Sequence, residues 1–213
     1  MLQLYAHPFS SYSQKVLVAL YANGTPFEYR NLEDPGASAE WKALWPIGRF
    51  PVLADGGRVV FEASAILEYL DAHHRGPAPL VHGDGVDTRM LDRFFDRYVM
   101  EPMQKIVLDH MREPGERDPR GVADAHAMLG RAYAWLDRHM ARREWAAGDA
   151  FGLADCAAAP SLFYADWVQP IPEALASARA YRARLLAFPP MARAVDEARP
   201  YRHYFPPGAP DRD

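Results

Sequence analysis

The chain has 213 residues, 49% of them hydrophobic and 24% charged, with a formal net charge of −4. That length suffices for one or two packed domains, and the charge balance, with no basic run, argues against a nucleic-acid or anionic-membrane partner. Cys156 is the only cysteine, which excludes an intramolecular disulfide and a thiolate metal cluster, and no metal is expected. No apolar run nears the roughly 18 residues of a membrane span, and no basic-then-apolar leader opens the sequence, so the expectation is a soluble, cytoplasmic protein.

Residues 2–5, "LQLY", alternate as a short strand does. A helical period follows from Ser11, with Val16, Leu17, Leu20 and Tyr21 on one face, and Asn23-Gly24 ends it because glycine tolerates a left-handed cap. "PFEYRNL" reads as a second strand, parallel to the first through a right-handed crossover. "WKALWPIGRFPVL" holds a short helix and then a strand opened by Pro51; "ADGG" turns the chain and "RVVF" returns it. "EASAILEYLDAHHRG" is a helix stopped by Gly76-Pro77. The order is βαβ, hairpin, helix.

Residues 74–86 are rich in glycine and proline, and beyond them strand signals almost vanish. Leu91, Phe94, Phe95, Tyr98 and Val99 follow a helical period, which Pro102 is expected to kink or break. Asp118-Pro119 is a cap followed by a first-turn proline. It opens a helix striped by Val122, Ala125, Leu129, Tyr133, Leu136 and Met140, and three more helices are expected near 153–167, 173–187 and 190–198. The fold class is therefore a small α/β domain over 1–76, a linker over 77–86 and an all-α domain over 87–213.

The chemistry is concentrated in "HPFSSYSQKVLVAL", residues 7–20. Ser11 and Gln14 have the spacing of a capping box, which leaves the Ser10 hydroxyl one position outside the helix. There it faces the unpaired N–H groups and partial positive charge of a helix start, a place for an anion. No glycine-rich phosphate loop and no G-x-S-x-G elbow accompany it. His7 reads as a loop or packing residue.

Three segments together resemble the glutathione transferase superfamily over nearly the whole chain: the βαβ-ββα unit with "FPVL", the stretch "FEASAILEYL", and "AGDAFGLADCAAAP". The resemblance implies a thioredoxin-like first domain, glutathione as co-substrate, a small apolar electrophile as second substrate, detoxification as the broad role, and a homodimer. Ser10, with Ser11 second, matches the hydroxyl that activates the thiol. A free thiol with a pKa near 8.5 is only about 7% ionised at pH 7.4, and lowering the value by about two units takes roughly 2.7 kcal/mol. Pro51 matches the family's cis-proline, and Phe50 then offers its backbone to the cysteinyl residue. Glu62 would accept the glutamyl ammonium, Ala63 and Ser64 lie where the glutamyl carboxylate is held, and Lys42 or Arg49 would meet the glycine carboxylate. Tyr98, Met103, His110 and Met111 are the candidates to line the second-substrate site.

The chain departs from the pattern in three places. Ala63 stands where Ser or Thr follows the acid, with the serine one place later at Ser64. Trp45 stands where asparagine is common. Gly152 replaces the usual cap of the helix holding Asp155, an acid read as structural. "SSYS" also resembles the serine cluster of the zeta class, whose members isomerise maleylacetoacetate, although Trp41, Trp45 and Tyr12 weaken that match. A non-catalytic binding protein on the same fold is the alternative that Ala63 favours.

Overall fold

The computed structural model describes residues 1–213. The first half holds β1 (Gln3–Ala6), α1 (Ser11–Asn23), β2 (Glu28–Asn31), α2 (Pro35–Leu44), β3 (Val52–Asp55), β4 (Arg58–Phe61) and α3 (Ala63–His73). The strands lie in the order β2-β1-β3-β4; β1 and β2 are parallel and the other two pairings antiparallel. Alternation along β1 sorts its side chains. Leu4 and Ala6 enter the main core with Val16, Leu17 and Leu20 of α1 and Ile66, Leu67 and Leu70 of α3. Tyr5 points the other way, into a small cluster with Val52 and Trp41 of α2. Gly24 ends α1 at φ 58°, and the N–H of Thr25 reaches back to the Leu20 carbonyl, a closure that needs a left-handed residue.

The second half is helical: α4 (Val86–Phe94), a π-helical segment (Phe95–Met100), α5 (Glu101–Asp109), α6 (Pro119–Met140), α7 (Leu153–Val168), α8 (Ala176–Ala187) and α9 (Pro189–Ala198), then a 3₁₀ segment (Arg199–Tyr204). Every residue of α7 from Leu153 to Asp166 is buried, and α7 packs directly on α1. One aromatic group seals the seam between the halves: Phe9 meets Tyr164, Trp167 and Phe205. Pro102 does not break the helical run. It sits at the second position of α5, straight after the π-helical segment, whose wider turn lets the chain continue where proline has no N–H to give.

Asp118 caps α6, its carboxylate accepting from the Gly121 N–H at 2.8 Å. At α7, Gly152 is required by space, because a Cβ there would lie 2.7 Å from His82 Nε2 and 2.9 Å from the Leu80 carbonyl oxygen. Asp155 takes over the cap's work as a structural acid, accepting from the N–H groups of Gly152 and Ala146 and from the Tyr181 hydroxyl. Burial raises its carboxyl above the ordinary range. Cys156, beside it, is buried and its thiol is pushed well up by desolvation, so it is packing.

Candidate active site

The sheet register brings three chain reversals to one edge. Tyr5 pairs with Val52 and Val52 with Phe61. The loop after β1 (7–10), the Phe50–Pro51 turn before β3 and Glu62 after β4 are therefore neighbours. The Phe50–Pro51 bond is cis. Neither the N–H nor the C=O of Phe50 has a protein partner, so that backbone is free to pair with an extended peptide.

The amino end of α1 corrects the expected cap. Ser10, not Ser11, is the N-cap: its backbone is extended (φ −81°, ψ 126°), and its Oγ accepts from the Ser13 N–H at 3.3 Å. The Gln14 N–H reaches the Ser10 carbonyl at 2.8 Å, so the ladder begins one residue early. The capping box fails because the Gln14 amide is drawn elsewhere, donating to the Pro8 carbonyl and to the Tyr164 hydroxyl, each at 3.0 Å. The cap bond uses a lone pair of Ser10, leaving its O–H proton to donate. The N–H groups of Ser11 and Tyr12 have no protein acceptor. Ser10 is half-buried, whereas Ser11 and Ser13 are buried, and the Ser13 hydroxyl accepts from the His7 N–H.

The loop holding Ser10 is fixed from both halves of the molecule. The Tyr164 hydroxyl of α7 donates to the Phe9 carbonyl at 2.9 Å. Phe9 N–H donates to His7 Nδ1, His7 Nε2 faces Glu33 at 2.9 Å, and the His7 ring packs edgewise on Tyr201. His7 is thus a packing and loop-fixing residue. Gln14 and Tyr164 escaped the sequence reading because their partnership spans 150 residues.

The amino end of α3 is open by contrast. Glu62 is exposed, makes no hydrogen bond with its side chain, and is the only non-glycine residue at positive φ (66°). The N–H groups of Ala63, Ser64 and Ala65 have no protein acceptor. Ser64 corrects another expectation. Its hydroxyl accepts from Lys15 Nζ at 2.9 Å, so it is turned into the protein and occupied. Lys42 and Arg49 are exposed and unpaired; the Arg49 carbonyl is anchored by the Trp41 indole N–H at 2.9 Å. Trp45 stacks on Phe61, centroids 3.8 Å apart. The Tyr5 hydroxyl donates to Glu40 of α2, on the opposite face of β1 from the main core.

The four candidates for the second substrate do not converge. Met103 is a core residue, 4% exposed, within the main apolar cluster. Tyr98, 48% exposed, lies in an apolar groove with Met90, Leu91, Phe94 and Trp135. His110 is exposed at the end of α5 with Nδ1 3.1 Å from the Ile106 carbonyl, and Met111, beside it, is 69% exposed. Tyr12 sits half-buried next to Ser11. Its hydroxyl is held in the neutral form by desolvation first, then by the fields of Asp96, Glu101 and Glu62.

Residues 4–78 match the glutathione S-transferase N-terminal domain family, and residues 119–184 match the glutathione S-transferase C-terminal domain family. A probable glutathione S-transferase of Solanum tuberosum is 30% identical over 157 residues, 73% of this chain and 69% of that protein. The chain belongs to the glutathione transferase superfamily. A probable glutathione S-transferase of Nicotiana tabacum is also 30% identical, over 70% of this chain and 65% of its own length. Among solved structures, the glutathione S-transferase of Methylobacterium radiotolerans in complex with glutathione sulfonate superposes with a TM-score of 0.77 at 27% identity, covering 91% of this chain and 94% of that one. The small mixed sheet followed by a helical half is the architecture of this superfamily.

Proposed function

We propose that this transferase-family chain binds glutathione along the edge formed by 7–10, Phe50–Pro51 and Glu62, and adds its thiolate to a small apolar electrophile. The observation carrying the reading is the end of α1. The Ser10 hydroxyl has a proton to donate, beside the unbonded N–H groups of Ser11 and Tyr12. A thiolate placed there gains one hydroxyl donor and the positive end of a helix. Phe50 would pair with the cysteinyl residue. Glu62 would take the ammonium, and the open N–H groups of Ala63, Ser64 and Ala65 the glutamyl carboxylate, replacing the side-chain hydroxyl that Ala63 lacks. Lys42 or Arg49, both exposed and unpaired, would meet the glycine carboxylate. Binding also orients the sulfur, so positioning contributes to rate. Tyr12, half-buried beside Ser11, is the residue we assign to the electrophile's surroundings.

We also propose that the units are 1–76 and 87–213 with 77–86 between them, that the protein works in the cytoplasm, and that it is a homodimer. The exposed apolar stripe of Met90 and Tyr98 supports the dimer. No helix is long and apolar enough to cross a membrane.

The second reading is a binding protein without activity, favoured by Ala63 and by the occupied hydroxyl of Ser64. Calorimetric titration with glutathione, followed by initial rates with a chromogenic aryl halide, separates the two. Binding with turnover supports the enzyme. Absence of glutathione binding in the folded protein supports the second reading, and binding without turnover on a panel of aryl halides, enones and epoxides keeps the glutathione site while removing the conjugation.

A further inference from the structure

Lys15 is an unusual residue for the middle of an apolar helix face. Its neighbours Val16, Leu17 and Val18 are wholly buried, and so is Lys15 itself, 0% exposed. A lysine without solvent keeps its charge only where anions and acceptors replace the water. Two carboxylates and a hydroxyl do so here. Asp92 Oδ1 lies 2.5 Å from Nζ, the Asp96 carboxylate is 3.0 Å away through both oxygens, and Ser64 Oγ is at 2.9 Å. Arg93 covers the other oxygen of Asp92 at 2.6 Å, so two cations face two carboxylates.

The partners come from different parts of the fold. Asp92 belongs to α4, Asp96 to the π-helical segment, and Ser64 to the first turn of α3, two residues after Glu62. Lys15 itself is five residues into the helix run that Ser10 caps. The ammonium therefore ties the end of α1 to the end of α3 and both to the helical half. Asp96 also lies within electrostatic reach of Tyr12.

We propose that Lys15 is a positioning residue that holds the first turn of α3, with its free N–H groups and Glu62, at a fixed offset from the N-terminus of α1. The proposal rests on the glutathione reading above. It explains why Ser64 points inward. Its hydroxyl orients the turn, and the peptide's carboxylate is left to the backbone. Without the pin, the uncapped α3 end moves relative to Ser10, and the glutamyl and cysteinyl residues of one tripeptide can no longer be met together.

Lys15→Met strands two buried carboxylates and risks misfolding, so the deciding variants are Ser64→Ala and Ser64→Thr. With Ser64→Ala, the KM for glutathione rises about fivefold while kcat stays within about twofold, the pattern of lost uniform binding. Ser64→Thr, which keeps the hydroxyl, returns KM to the wild-type value. Amide exchange at Ile66 and Leu67 becomes about tenfold faster in Ser64→Ala, while Leu4 and Tyr5 of β1 keep their protection, marking a local loosening. Unchanged KM and unchanged exchange in a folded Ser64→Ala protein overturn the proposal, as does a drop in stability that accelerates exchange in β1 equally. Should the wild-type protein fail to bind glutathione, the proposed function falls by itself, and the exchange data alone decide whether Lys15 pins α3.

Discussion

The amino ends of α1 and α3 lie side by side and are built in opposite ways. At α1 the cap is filled by Ser10, the Pro8 and Phe9 carbonyls are held by Gln14 and Tyr164, and the loop is wedged by Phe9 between two halves of the molecule. At α3 there is no side-chain cap, the preceding residue has positive φ, and three N–H groups are unclaimed. At α1 a side chain caps the helix and two N–H groups, of Ser11 and Tyr12, stay open; at α3 the cap itself is left open. In the proposed function the difference has a use. The thiol needs a donor at one fixed place, because stabilising a charge depends on prior orientation of the dipoles. The glutamyl end needs affinity, which an incomplete helix end supplies when a carboxylate completes it.

The widest gap between the two ends is expected from Ser10→Ala. It removes the donor to sulfur and the cap of α1 together. We expect kcat/KM to fall about 100-fold, the scale for one lost oxyanion-type donor, and stability to fall by about 1 kcal/mol. Rates and denaturant melts on the same preparation check both. Glu62→Gly tests the other end with opposite signs. Relief of the positive φ leaves the protein at least as stable, by up to about 1 kcal/mol, while glutathione affinity falls about tenfold with loss of the carboxylate. Melts and calorimetry show the split, and a Glu62→Gly protein that is both less stable and equally tight-binding breaks the comparison.

Tyr164→Phe deletes only the hydroxyl that joins Gln14 to the Phe9 carbonyl. It is expected to cost about 1–2 kcal/mol, because buried partners lose their bond, and to lower kcat severalfold with little change in KM. The smallest effect belongs outside the site. Asp118→Ala unsettles the start of α6 and its tie to Lys105 of α5, lowering the melting temperature by a few degrees with activity per folded molecule unchanged. Lys105 first, and then the Gly121 N–H, hold the Asp118 carboxyl below its ordinary value. Such a lowered carboxyl stabilises the fold above the unfolded carboxylate range, and that contribution is lost as the pH falls through its folded value. Melts of wild type and Asp118→Ala therefore converge in acid and stay apart at neutral pH.

The residues that were legible in the sequence are those whose signal is local. Alternation in "LQLY" and "RVVF", the Asn23-Gly24 stop and the Asp118-Pro119 start each describe a bond or a burial within a few positions, and the strands and helices formed there. Short-range rules also located the serine cluster, but they missed its register by one residue. Ser10 and Ser11 are equivalent as caps until Gln14 is claimed by Pro8 and Tyr164, and Tyr164 lies 150 residues further along the chain. Ser64 shows the same limit. Its neighbour Glu62 drew it toward the peptide site, whereas Lys15, 49 residues earlier, turns it inward. The one sign available was Lys15 itself, a charge within "SQKVLVAL" where the period places only apolar residues. Met103 was misjudged because an apolar side chain at helical spacing reads alike whether it faces the core or a cleft.

The central claim concerns the protonation of a sulfur at the end of α1, and ultraviolet titration of the thiolate of bound glutathione tests it most directly. The account predicts a midpoint well below the value near 8.5 of a free thiol in the wild-type complex, moving back toward that value in Ser10→Ala. Equal midpoints in the two complexes would contradict it.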